Sequence, residues 1–258
     1  MTCVRHLTLI STLKPKILWR VLLGGPSFVR DFFRLKKQKG TDTLFPFGPL
    51  NPITFEREDE SGTMSGHYFH QDLLVARKIF HSNPKKHVDI GSRTDGFVAH
   101  VAVFREIEIL DIREQKSNVK NISFRQADLM QLQGHMRDYC DSISSLHAIE
   151  HFGLGRYGDP IDYQGYKKAI ENITHILKSG GTFYFSVPIG PQRIEFNAHR
   201  VFSVSYLLEL LGEHFDLQSF SYVNDAGDLF EDIAITPNEV QTDFGCQYGC
   251  GIFELRKR

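Results

Sequence analysis

The apolar positions change period along the chain, and the changes mark the elements. Phe69, Leu73, Ala76 and Phe80 recur at helical spacing, and Asn83-Pro84 closes that helix. Lys86 to Gly91 is a short strand. Phe97, Val98, Val101 and Phe104 form a helical stripe, and Glu106 to Ile112 is a second strand. Ile122 to Ala127 and Asp141 to Leu146 supply a third and a fourth. Tyr166, Ile170, Ile173 and Leu177 share a helical face ended by Gly180-Gly181; a strand from Thr182 to Val187 follows and stops at Pro188. A helix through Tyr206, Leu207, Leu210 and Leu211 leads to strand Leu217 to Val223, and Gly251 to Leu255 alternates as an edge strand does. Strands alternating with helices imply right-handed crossovers and a parallel sheet. The expected fold is therefore α/β, Rossmann-like and doubly wound, mainly parallel with an antiparallel edge strand.

The first 66 residues differ. Residues 1–40 carry nine Lys or Arg against one acid, Asp31, whereas the remainder holds 21 basic and 30 acidic groups. Leu7, Leu9, Ile10, Leu13 and the Ile17–Leu23 stretch interleave with those cations, as in an amphipathic helix at an anionic membrane surface or a basic helix packed on a core. Pro46, Pro49, Pro52 and a run of acids make 40–66 a linker. The expected organisation is a basic N-terminal helical extension with its linker over 1–66 and a Rossmann-like domain over 67–258. No apolar run approaches the eighteen residues of a membrane span, and Lys14, Lys16 and Arg20 interrupt any secretory h-region. Four scattered cysteines fit a reducing, cytoplasmic setting, with membrane association through the arm as an addition. Nothing beyond charge points to nucleic acid.

In such a sheet, ligands bind beyond the carboxyl ends of the strands. The first strand delivers Asp89-Ile90-Gly91-Ser92-Arg93, where a glycine lets backbone approach a ligand. Asp111 ends the second strand, 20 residues after Gly91, a position suited to ribose hydroxyls. Asp128, beside Leu129, ends the third and can accept from an adenine amino group. No GxxxxGK[ST] pattern is present, which argues against a P-loop NTPase.

Asp89-Ile90-Gly91, Asp111, Ala127-Asp128, Glu150-His151 and Leu177–Thr182 together resemble the motif series of class I S-adenosylmethionine-dependent methyltransferases. More narrowly, HVDIGSRTDGFVAH (87–100), SLHAIEHFGLGRYGD (145–159) and FSVPIGPQRIEFNAHRVF (185–202) resemble the family known as domain of unknown function 268, whose members tend to occur with genes for surface glycan assembly. The resemblance departs from the glycine-rich loop at Arg93 and Asp95. It implies S-adenosylmethionine as cofactor, held by Asp89, Gly91, Ser92, Arg93, Asp111, Asp128 and Leu129, with Arg93 pairing the methionyl carboxylate. It also implies O-methylation of a small sugar or glycan precursor.

Methyl transfer to a hydroxyl needs an oxygen aligned and deprotonated, and an imidazole suits the proton removal. The base candidates are His151, His199 and His147, with Glu150 beside them; Arg156, Tyr157, Asp159, Asn197 and Arg200 are the candidate acceptor contacts. His147-Ala148-Ile149-Glu150-His151 also matches the inverted zinc-protease motif H-x-x-E-H, which requires a helix, whereas the residues before it are strand-like. No resident metal is expected; a labile metal shared by His147, His151 and His199, in a hydrolase, is the alternative. A non-catalytic scaffold of glycan assembly is another. Cys246 and Cys250 are separated by more than a redox C-x-x-C and are expected to be structural.

Overall fold

The computed structural model describes residues 15–258 except 55, 56, 58, 60, 132 and 133, with side chains from residue 24 onward. The chain divides into two units, Met1–Thr63 and Met64–Arg258. The first contains α1 (Pro15–Lys39), which ends on Lys36, Lys37 and Lys39, where cations suit the helix dipole. Phe32 packs on Phe47 with ring centroids 5.3 Å apart, and Arg57 pairs with Asp31. Leu7, Leu9, Ile10 and Leu13 lie outside the described residues.

The second unit is a three-layer sandwich. Its strands are β1 (His87–Ile90), β2 (Ile107–Asp111), β3 (Ile122–Gln126), β4 (Cys140–Leu146), β5 (Leu177–Ile189), β8 (Phe215–Val223), β9 (Leu229–Phe230) and β10 (Gly249–Lys257). They are ordered β3-β2-β1-β4-β5-β10-β8-β9. The first five pair in parallel and the rest antiparallel. A hairpin of β6 (Arg193–Glu195) and β7 (His199–Val201) stands apart, a feature absent from the sequence reading. On one face α4 (Gly165–Ile176) and α5 (Val204–Gly212) bury Ile170, Ile173, Leu207 and Leu211. On the other, α2 (His67–Ser82) buries Leu74, Val75 and Ile79 against Phe97, Val98 and Val101. These last three come from a π-helical turn, Thr94–Val98, running into the single-turn α3 (Ala99–Ala102), shorter than the expected stripe because Phe104 falls outside it. A short helix α6 (Pro237–Gln241) carries a capping box from Thr236 and Glu239.

Two expectations need correction. Gly180-Gly181 does not end a helix: α4 stops at Ile176, Leu177 turns extended, and β5 runs through both glycines and Pro188 to Ile189. Gly180 sits at φ 70°, and a Cβ on Gly181 would lie 2.9 Å from the Asp141 carbonyl oxygen, so these glycines serve a kink and close strand pairing. The C-terminal strand is not an edge. β10 lies between β5 and β8, buried on one face at Phe253 and Leu255 and on the other at Cys250 and Ile252, and β9 takes the antiparallel edge. Asn83, at φ 41°, ends α2 as expected.

Candidate functional site

The carboxyl ends of β1 to β4 open on a small cleft. Gly91, at φ 68°, turns the chain out of β1, and a Cβ there would crowd Ala148 at 3.1 Å. Asp111, Asp128 and Leu129 form the wall from β2 and β3, and His147, His151, Tyr157 and Asp159 close the far end.

Asp89 does not face this cleft. It is fully buried, its Oδ1 accepting from the hydroxyls of Ser92 (2.7 Å) and Ser144 (2.6 Å) and its Oδ2 from the Ser92 amide (3.0 Å). It fixes the loop, and Ser92 in turn accepts from the Leu146 amide, tying β1 to β4. Burial pushes the Asp89 carboxyl up to about 6 despite those donors. His87, between Ser142 and Ser144, is held neutral because burial lowers it to about 3.

Arg93 does not await a carboxylate from outside. Its guanidinium holds Asp95 through two contacts of 3.1 Å and lies over the Tyr68 ring. The two substitutions in the glycine-rich loop thus neutralise each other. Asp111 is likewise engaged: Arg113 donates from its backbone amide and Nε to Oδ1 and from Nη2 to Oδ2 at 2.6 Å. Arg113 also covers the Tyr157 ring at 4.2 Å, a residue the sequence reading missed because only the turn after β2 brings it back over the cleft. Asp128 accepts from the Met130 amide and the Gln131 side chain.

The far end is more deeply buried. His147 follows β4 at φ 49°, unusual for a side chain with a Cβ, in the left-handed region where strain accompanies functional positions. Its Nδ1 lies 2.9 Å from Glu150 Oε1, while its Nε2 is buried without a hydrogen-bond partner. Burial opposes charge on His147, but the Cys250 thiol and the Glu150 carboxylate more than offset it and raise the group to about 10. Burial likewise opposes ionisation of Glu150, and His147 and His151 overcome that too, lowering it. Residues 149–151 form one 3-10 turn, so the H-x-x-E-H pair does not share a helical face, and the zinc-protease geometry is not formed.

His151 reaches the cleft. Its Nδ1 donates to the Ala198 carbonyl at 2.6 Å, which fixes the tautomer and leaves Nε2 as the basic nitrogen, 3.6 Å from Glu150 Oε1. Burial lowers its affinity for a proton. His199 stands 6.4 Å from His151, ring to ring, with Nε2 3.2 Å from Glu195 Oε2 but off the line of a hydrogen bond.

The acceptor-side assignments divide. Tyr157 and Asp159 line the cleft, although Asp159 is spent on the amides of Gly153, Gly155 and Tyr157. Arg156 caps the Ala198 carbonyl at 2.9 Å. Arg200 is no substrate contact: it is buried, and its guanidinium holds the carbonyls of Glu150, Phe152 and Tyr163. Asn197 is exposed on the β6–β7 hairpin and does not line this cleft.

Three residues outside the expected set complete the far end. The His67 ring, at the start of α2, lies parallel to that of His147 at 5.1 Å, and Tyr248 packs on both His67 and His199. Cys250 of β10 is fully buried near His147. The alternative metal set His147, His151 and His199 is not assembled; the donors that converge are His67, His147 and Cys250. No spacing rule links residues 67, 147 and 250, so no sequence signal could have joined them.

Residues 85–240 match the family described as Caenorhabditis protein of unknown function, DUF268. No curated protein matches the chain. Among solved structures, the [4+2]-cyclase SpnF is similar at 15% identity and a TM-score of 0.51, over 73% of this chain and 80% of that one. The Burkholderia thailandensis 1,6-didemethyltoxoflavin-N1-methyltransferase, solved with 1,6-didemethyltoxoflavin and S-adenosylhomocysteine, is similar at 17% identity and a TM-score of 0.50, over 90% and 88%. Both likenesses are of fold.

Proposed function

The chain belongs to the family described as Caenorhabditis protein of unknown function, DUF268; from that footing we propose that it is an S-adenosylmethionine-dependent methyltransferase of a small hydroxylated acceptor. The observation that carries this is the cleft itself: Gly91, Asp111 and Asp128 stand at the tips of consecutive parallel strands along one wall, with a basic imidazole at the opposite end. The toxoflavin-type neighbour binds S-adenosylhomocysteine on the same fold, which supports the cofactor. Fold alone does not fix activity.

The residues fit such a cofactor. Asp111 offers a carboxylate for the ribose hydroxyls, Asp128 and Leu129 border the adenine side, and Gly91 leaves the backbone open to close approach. Bound there, S-adenosylmethionine supplies an activated methyl group. The chain's own part is to seat and deprotonate the acceptor. His151 Nε2 takes the hydroxyl proton, Ala198 holds the ring through Nδ1, and Glu150 stabilises the imidazolium that forms. The acceptor is a sugar or glycan precursor in surface polysaccharide assembly; the family-specific stretches support this, as does the exposed Arg156–Tyr157 rim. The cytoplasmic setting and a peripheral membrane contact through residues 1–40 rest on cysteine usage and on the charge of that arm.

One observation favours a second reading, a binding protein without methyl transfer. Arg113 already occupies both oxygens of Asp111, and Arg93 is committed to Asp95. Calorimetric titration with S-adenosylmethionine and S-adenosylhomocysteine decides between them. Saturable binding supports the enzyme; no heat at millimolar ligand removes it.

A further inference from the structure

We propose that His67, His147 and Cys250 form a binding site for one zinc-type divalent metal ion. The three donors come from the start of α2, the tip of β4 and the interior of β10, and their ligand atoms all lie within 4.8 Å of one another. A tetrahedral centre with bonds of about 2.0–2.3 Å sets its donors roughly 3.3–3.8 Å apart. Small side-chain rotations close that gap.

The surroundings are those of a ligand set. The Nδ1 of His147 faces Glu150 Oε1 at 2.9 Å, and Nε2 is buried with no partner. A carboxylate on one imidazole nitrogen orients a metal-binding histidine and leaves the other nitrogen to the ion. Cys250 donates to Gln71 Oε1 at 3.6 Å, lies 3.9 Å from its neighbour's carbonyl and interacts with His147. When a metal binds, His147 gives up its proton and Cys250 its thiol proton, and the divalent cation then balances the thiolate and the Glu150 carboxylate. Two imidazoles and a thiolate select zinc or cobalt over magnesium or calcium, which prefer oxygen ligands.

Three protein donors leave a coordination position, the pattern of sites that bind an exogenous ligand. His147 also lines the cleft, which places the site beside it. The site does not depend on the methyltransferase reading and survives if that reading fails.

Cobalt(II) titration of the tag-free, metal-stripped, full-length protein under reducing conditions tests it. The expected result is one equivalent bound, a near-ultraviolet thiolate-to-cobalt charge-transfer band, visible bands of a four-coordinate ion, and displacement by zinc. Cys250→Ser should abolish the charge-transfer band, although Cys3, Cys140 and Cys246 remain. His67→Asn, at the helix start, should weaken cobalt binding at least tenfold, and Glu150→Gln about 10–100-fold, with circular dichroism unchanged. A folded wild-type protein without the band, or a band that persists in Cys250→Ser, overturns the proposal. Should Cys250→Ser not fold, undiminished cobalt affinity in folded His67→Asn overturns it. S-adenosylhomocysteine titrated into the same samples reports the cofactor reading separately.

Discussion

The two ends of the cleft are built on opposite principles. Around Gly91, polar groups are matched within a few residues of sequence: Arg93 with Asp95, Arg113 with Asp111, and Asp89 with the Ser92 hydroxyl. Around His147, polar atoms from distant segments converge and stay under-satisfied, with His147 Nε2 and Glu150 Oε2 buried and unpartnered. Buried polar groups are nearly always paired, so such exceptions mark places where a ligand completes the structure. The matched end reads as scaffold, and the unmatched end as chemistry.

That comparison can be broken, and the largest expected effect lies in the scaffold. Asp89→Ala leaves three buried donors without an acceptor and should cost about 3–5 kcal/mol in urea unfolding; a loss below about 1 kcal/mol would show that the loop holds itself. The chemistry end predicts a rate effect instead. Once an acceptor is found, His151→Ala should lower kcat by about 10²–10⁴ and leave S-adenosylhomocysteine affinity intact. A variant with wild-type turnover passes the base role to His199 or Glu150.

Asp111→Ala separates the enzyme from the binding-protein reading. It should weaken S-adenosylhomocysteine by about 1.5–3 kcal/mol, the range for a lost charge-assisted hydrogen bond. If Arg113 never yields Asp111, calorimetry will show no change.

Asp72 of α2 is, like Asp89, a buried acid beside the glycine-rich loop with no cation in contact. Its carboxyl would meet a Cβ on Gly96 at 2.5 Å, and burial raises it to about 6. The unfolded chain releases that proton near 3.9. The folded form keeps it longer, so stability falls as pH rises from about 4 to 6 and is flat above. Asp72→Asn removes this share of the dependence, leaving that of Asp89, and should gain about 2 kcal/mol over wild type by pH 7; parallel stability curves for the two proteins would contradict this. The smallest effect belongs to the exposed Arg93–Asp95 pair, where Asp95→Ala should leave the urea unfolding midpoint unchanged. A lowered midpoint would make that pair part of the scaffold.

What the sequence determined by itself was local. The period changes located β1 to β4, α2, α4 and α5, because backbone hydrogen bonding and one-sided burial leave a trace in neighbouring residues. The strand-tip acids Asp111 and Asp128 were legible for the same reason, since a βα crossover fixes where a tip lies. Tertiary structure decided what required two segments at once. Gly180-Gly181 looked like a helix stop but faces Asp141 across β4, and the alternation of Gly251 to Leu255 suits an edge strand until β5 and β8 flank it. Arg200 was indistinguishable from a substrate arginine until three carbonyls surrounded it. His67 and Cys250 carried no signal, because a side chain's chemistry depends on its spatial neighbours, and only the folded chain brings the ligand atoms of residues 67, 147 and 250 within 4.8 Å of one another.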